Sequence, residues 1–150
     1  MSKGLIFIFE DTDEVLGCLK DTFERLNLDT CYPSRFSSAN YFLNEEPGIH
    51  AFKLLVVDLN IPFQNTDFDK EQLEEIYEQE KVHKVRLSGW IWVKAIMEKY
   101  YCYRNVVVLS AYVNNIPDVE KEKFTEKGVL FIDKTQDSAM SLLEQRLSQI

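Results

Sequence analysis

Four stretches of the chain are apolar at every position and rich in Val, Ile, Leu and Phe: residues 5–9, 54–57, 106–109 and 129–132. Short runs without polar alternation mark strands buried on both faces, as in a parallel sheet covered by helices on either side. A weaker extended stretch, residues 28–32, predicts an edge strand ended by Pro33.

Helical spacing fills the intervals. Val15, Leu16, Leu19, Phe23 and Leu26 share one face, with Thr12 or Asp13 as the expected N-cap. Ser37 or Ser38 is expected to cap a short helix that buries Ala39, Phe42 and Leu43 and stops at Pro47-Gly48. Ser88-Gly89 precedes an apolar helix carrying Trp90, Val93, Ile96, Met97 and Tyr100. Asn115-Ile116-Pro117 opens another through Phe124, with Gly128 as its stop, and Thr135 or Asp137 caps a last helix with Met140, Leu143 and Leu147. Strands and helices thus alternate, which predicts one doubly wound α/β domain over residues 1–150.

Residues 63–87 break this alternation, since a few residues would suffice to join the third strand to its helix. The segment is acidic first (Asp67, Asp69, Glu71, Glu74, Glu75, Glu78, Glu80) and basic last (Lys81, Lys84, Arg86). That order suits a helix macrodipole and predicts an extra helix over residues 69–85. Its stripe (Leu73, Ile76, Tyr77, Val82, Val85) is thin. It reads either as a solvated excursion or N-terminal extension of the next helix, or as a docking or lid element.

Composition narrows the class. With 150 residues, 45% of them hydrophobic, and only five glycines and four prolines, the chain can fill a core and is not a linker or a disordered tail. A formal charge of −8 argues against nucleic acid or an anionic membrane as partner. The first apolar run is ended by Glu10 and Asp11, too early for a signal peptide or a membrane span. Cys18, Cys31 and Cys102 form no metal or redox pattern and are expected to be buried reduced thiols in a cytoplasmic protein.

The candidate chemistry sits just past the end of each buried strand: Glu10-Asp11, Asp58, Ser110-Ala111 and Asp133-Lys134. Open α/β sheets bind ligands beyond the carboxyl ends of their strands, where strand order reverses. With the first strand central and the third beside it, Glu10, Asp11 and Asp58 meet there. Crowded carboxylates repel unless a cation joins them, and such hard oxygen ligands suit Mg²⁺. Lys134 adds positive charge and Ser110 a hydroxyl for an incoming anion.

The pieces FIFED (7–11), LLVVDLNIP (54–62), VVVLSAY (106–112) and KGVLFIDK (127–134) together resemble the receiver domains of two-component response regulators. The resemblance implies a flavodoxin-like five-stranded sheet in the order 2-1-3-4-5, with an extra helical insertion at about 63–87 between the third strand and its helix. It implies that Asp58 accepts a phosphoryl group from a sensor histidine kinase or phosphotransfer protein. Glu10, Asp11, Asp58 and the backbone carbonyl of Asn60 would hold Mg²⁺, Ser110 and Lys134 would bind the phosphoryl group, and Ser110 and Phe131 would form the switch. Asn60 and Tyr112 would tune the phosphoryl lifetime. The chain is expected to act as a stand-alone receiver that catalyses only its own phosphorylation and dephosphorylation. It would signal through an unknown output protein, or as a homodimer through the helix before the fifth strand, that strand and the last helix.

Departures are Glu10 for the commoner Asp, Ser110 for Thr, and Thr135 where the family usually has a cis-Pro, so the loop after Lys134 is expected to be looser or differently shaped, with Lys134 still in reach. The insertion would restrict which kinase approaches or provide a partner surface. A degenerate receiver serving as a constitutive scaffold is one alternative. A haloacid-dehalogenase-type phosphatase is another, but the position of its general acid is taken by Asn60. Neither GxxxxGK[ST] nor GxGxxG occurs.

Overall fold

A computed structural model describes residues 4–150. The apolar runs form β1 (Leu5–Phe9), β3 (Phe52–Val57), β4 (Val106–Ser110) and β5 (Leu130–Asp133), and the edge strand is β2 (Asp29–Cys31). All pairs are parallel, in the order β2-β1-β3-β4-β5. Alternate strand residues feed two cores. Ile6, Ile8, Leu54, Val56, Val107 and Leu109 pack with α1 (Asp13–Arg25) and α6 (Ala139–Ser148). Phe7, Phe9, Leu55, Val57, Val106 and Val108 pack with α2 (Phe36–Asn44), α3 (Lys70–His83), α4 (Ser88–Tyr100) and α5 (Asp118–Glu126). Two covered faces are why the strands lack polar alternation.

Helix ends differ from expectation where tertiary contacts override local capping. Thr12 is the N-cap of α1, but its side chain makes no capping bond. Arg35 rather than a serine precedes α2, and Ser138 rather than Thr135 or Asp137 precedes α6. Thr135 is used otherwise: its N–H and hydroxyl both donate to Asp133 Oδ1, at 2.9 and 2.6 Å. Of the two expectations for the loop after Lys134, the structure therefore shows the differently shaped loop, closed by a side-chain turn, rather than the looser one. Gly128 ends α5 as expected, at φ 111°, where a Cβ would also lie 2.7 Å from Arg104 Cγ. The cysteines are free, but Cys18 is exposed and the other two are only half-buried, because Cys31 and Cys102 lie at the margin of a core rather than inside it. No helix among the described residues is long and apolar enough to cross a membrane.

The inserted segment is neither a solvated excursion nor an extension of the next helix. Asp69 caps α3 reciprocally with Gln72: Gln72 N–H donates to Asp69 Oδ1 at 2.8 Å, and Asp69 N–H to Gln72 Oε1 at 3.0 Å. Lys84, in the left-handed region at φ 58°, ends the helix before Ser88 starts α4. Ile76 is fully buried, whereas Val82 is exposed and leaves the predicted stripe. Phe68 stacks edge-on against Phe36 and Phe63, with centroids 4.9 and 5.4 Å apart. With α3 against its outer side, α4 buries Ile91 and Trp92 as well as the predicted Trp90, Val93, Ile96 and Met97.

An Ile76→Ala substitution is expected to cost about 2–5 kcal/mol in denaturant unfolding, as for any large-to-small change in a shared core. A loss below about 1 kcal/mol would show α3 to be an appendage rather than core.

Candidate functional site

The carboxyl ends of β1, β3, β4 and β5 converge on one patch. Asp58 N–H donates to Phe9 O at 2.9 Å, which continues the β1–β3 ladder and places Asp58 beside Glu10. Glu10 and Asp58 are both buried. Lys134 Nζ lies between them, donating to both Glu10 oxygens and to Asp58 Oδ2, each at 3.2 Å. The Lys134 backbone N–H donates to Ser110 O at 3.3 Å, which fixes the start of its loop on β4. Backbone donors take up further carboxylate lone pairs: Thr12 N–H on Glu10 Oε1 at 3.0 Å and Leu59 N–H on Asp58 Oδ1 at 2.7 Å.

Asp11 is exposed, yet one carboxylate oxygen from each of Glu10, Asp11 and Asp58 falls within 4.8 Å of the others. Burial, then the charge of Asp58, pushes the pKa of both Glu10 and Asp11 above the ordinary value. Burial pulls Lys134 down, but Asp58 and Glu10 outweigh it and leave the ammonium more basic than usual. One lysine thus faces three acids. This excess of hard oxygen charge, with Asp11 open to solvent, fits a divalent cation such as Mg²⁺.

The other predicted residues lie on or just after β3, β4 and β5. Ser110 is fully buried, and its Oγ accepts the Tyr112 N–H at 3.1 Å. Phe131 is half-buried against Trp90, with centroids 5.6 Å apart. Tyr112 is half-buried against the core. Asn60 lines a cavity of about 300 Å³ with Asp11, Ile61, Pro62, Phe63 and Arg86.

Sequence reasoning misses what holds the loop that follows Asp58. Gly89 lies inside the first turn of α4, and a Cβ there would stand 2.0 Å from the Asp58 carbonyl oxygen. Its N–H donates to Leu59 O at 2.8 Å. Ser88, also inside that turn and fully buried, donates from Oγ to Ile61 O at 2.5 Å and accepts the Ile61 N–H at 3.1 Å. The only signal is a Ser-Gly pair opening a helix, which reads equally well as capping. Arg86 is visible in the sequence only as part of a basic cluster.

Gly89→Ala must move α4 or the loop, costing about 1–3 kcal/mol in unfolding experiments; a neutral change would contradict the close approach. Glu10 and Asp11 hold protons more tightly folded than unfolded. Their destabilising effect is therefore absent below the ordinary carboxylate range and grows as pH rises through and above it. Asp58→Asn removes one of the repelling charges, so without divalent cations Tm at pH 7 rises by about 2–4 °C, and the gain fades towards pH 4. An equal gain at both pH values would contradict the electrostatic origin.

No protein-family model matches the chain, and no curated protein matches it by sequence. Solved structures do match. The Francisella response regulator 1452 receiver domain aligns at 15% identity over 98% of each chain, with a TM-score of 0.61. The CheX-CheY-BeF3-Mg complex from Borrelia burgdorferi aligns at 16% identity over 99% of this chain and 89% of that one, with a TM-score of 0.64. NtrX from Brucella abortus aligns at 15% identity and a TM-score of 0.62 over 99% of this chain, which spans 27% of that protein. The sheet order, the all-parallel pairing and these alignments agree: the chain has the flavodoxin-like fold of the response-regulator receiver domains.

Proposed function

We propose that this protein is a phospho-receiver in which Asp58 accepts a phosphoryl group from a phosphohistidine on a sensor kinase or phosphotransfer protein. The observation that carries this reading is the buried Glu10–Lys134–Asp58 arrangement, with Asp11 beside it, at the carboxyl edge of the sheet. The Asp58 side chain is held by Leu59 N–H through Oδ1, which leaves Oδ2, bonded by Lys134, as the attacking atom. Attack in line on phosphorus spreads negative charge over the equatorial oxygens. Lys134 is already in place to follow that charge, so little reorganisation is required. A divalent cation held by Glu10, Asp11, Asp58 and the Asn60 carbonyl would supply the remaining charge neutralisation.

After transfer, Ser110 exchanges its bond with the Tyr112 N–H for one to the phosphoryl group. Phe131, beside Trp90, then repacks on the α5–β5 side, a two-state shift driven by one local charge. Asn60 and Tyr112 flank the acceptor and set how readily water reaches it. Output passes by contact with another protein, or with a second copy through α5, β5 and α6. The protein turns over no separate substrate. A phosphatase of the haloacid-dehalogenase type would need a general acid where Asn60 stands.

Incubation with a small phosphodonor and Mg²⁺ is expected to give a single hydroxylamine-labile phosphoryl adduct by intact mass, absent in Asp58→Asn. Lys134→Ala is expected to slow the reaction by about 100-fold, the usual cost of losing a preorganised charge partner. Equal labelling of Asp58→Asn would sink the assignment. Failure of wild type to label, with partner binding intact in Asp58→Ala, would favour a constitutive scaffold.

A further inference from the structure

The inserted segment returns to the sheet through Arg86, which lines a cavity with Asn60, two residues after Asp58, and with Asp11, whose carboxylate lies within 4.8 Å of that of Asp58. Its guanidinium is held from three sides. Nε donates to Glu80 Oε2 at 2.5 Å, and the guanidinium carbon lies 5.7 Å from the Phe63 ring centroid and 5.4 Å from that of Tyr77. All three contacts come from the inserted segment itself. Among the described residues, no protein acceptor engages the two Nη groups, so a planar fork of donors is fixed in orientation and still open to a ligand.

Its location decides what that ligand is. Asp58 is buried, so an incoming phosphodonor must present phosphorus to it from the solvent side, and an in-line leaving group departs outward, on the side where Asp11 and Arg86 line the adjoining cavity. We infer that Arg86 is a donor-specificity residue that favours phosphodonors with an anionic, carboxylate-type leaving group. This assignment rests on Asp58 being the phosphoryl acceptor.

The chemistry distinguishes two donor classes. With an acyl phosphate, the Asp58 oxygen–phosphorus bond forms as the phosphorus–oxygen bond to the acyl group breaks. The electron pair stays on the departing carboxylate, which leaves as an anion without needing a proton. With phosphoramidate a phosphorus–nitrogen bond breaks and its electron pair stays on a nitrogen that already carries three hydrogens, so ammonia departs neutral; phosphohistidine, protonated on its other ring nitrogen, likewise releases neutral imidazole. Charge on the phosphoryl oxygens is common to both and cancels in the comparison. Only the carboxylate gains from a guanidinium on that side.

The test is the ratio of phosphorylation rates with acetyl phosphate and with phosphoramidate, in Mg²⁺, by intact mass. In Arg86→Gln the ratio is expected to fall by about fivefold, the scale of a half-exposed charge contact. Arg86→Lys keeps the charge and is expected to hold the ratio within about twofold of wild type. A merely structural role would lower both rates together and leave the ratio unmoved, which overturns the inference. Labelling of wild type by both donors with an unmoved ratio in Arg86→Gln overturns the role of Arg86 alone. Labelling by neither donor removes the acceptor reading and the inference with it.

Discussion

Two carboxylates buried at one end of a sheet are costly unless a cation shares their enclosure, and here a single lysine, Lys134, meets both Glu10 and Asp58. Much of the topology serves that meeting. β1 and β3 must be neighbours to set the two acids side by side. The Lys134 backbone is tied to the end of β4, and the loop beyond it is shaped by Asp133 and Thr135. Asp11 adds a further charge at the solvent edge, so the neutralisation is incomplete and the site retains an appetite for positive charge.

Around this centre the aromatic residues of α4 act as connectors. Trp92 donates to Asn40 of α2 at 2.8 Å, and Trp90 donates to Glu120 of α5 at 2.9 Å while its ring faces Phe131. Lys94 pairs with the same Glu120 at 2.5 Å and with Glu75 of α3 at 2.8 Å. Burial lowers the pKa of Lys94, but the two carboxylates more than compensate and keep it charged. A continuous set of polar and ring contacts thus runs from the inserted helix to Phe131. Chains of packed and hydrogen-bonded side chains of this kind can carry coupling between their two ends.

The parts legible in the sequence are those with a strong local signature. The apolar runs of β1, β3, β4 and β5 announce strands buried on both faces. Because each is succeeded at once by Glu10-Asp11, Asp58, Ser110 or Asp133-Lys134, the polar centre can be assembled from the sequence alone. The illegible parts are long-range. Nothing near Ser88 reveals that its hydroxyl bonds Ile61, 27 positions earlier, or that Gly89 is small because the Asp58 carbonyl lies against it. Local rules misplace the helix starts at Arg35 and Ser138 because serine, threonine and aspartate are good caps only when the chain leaves them free to turn back, and here Thr135 is engaged by Asp133. The thin stripe of α3 understates its burial because most of its anchoring comes from Ile76 and from Phe68, which precedes the helix.

The bond pair between Ile61 and Ser88 also clamps the two ends of the inserted segment together at its base. Closure entropy grows only logarithmically with the length of a loop joined at a fixed neck. Once that neck is secured, the excursion can lengthen, shorten or be exchanged at small thermodynamic cost while the backbone of Asp58 keeps its position. The neck thus makes this stretch a graft point, where new surface can be added beside an unchanged Asp58 without redesigning its surroundings.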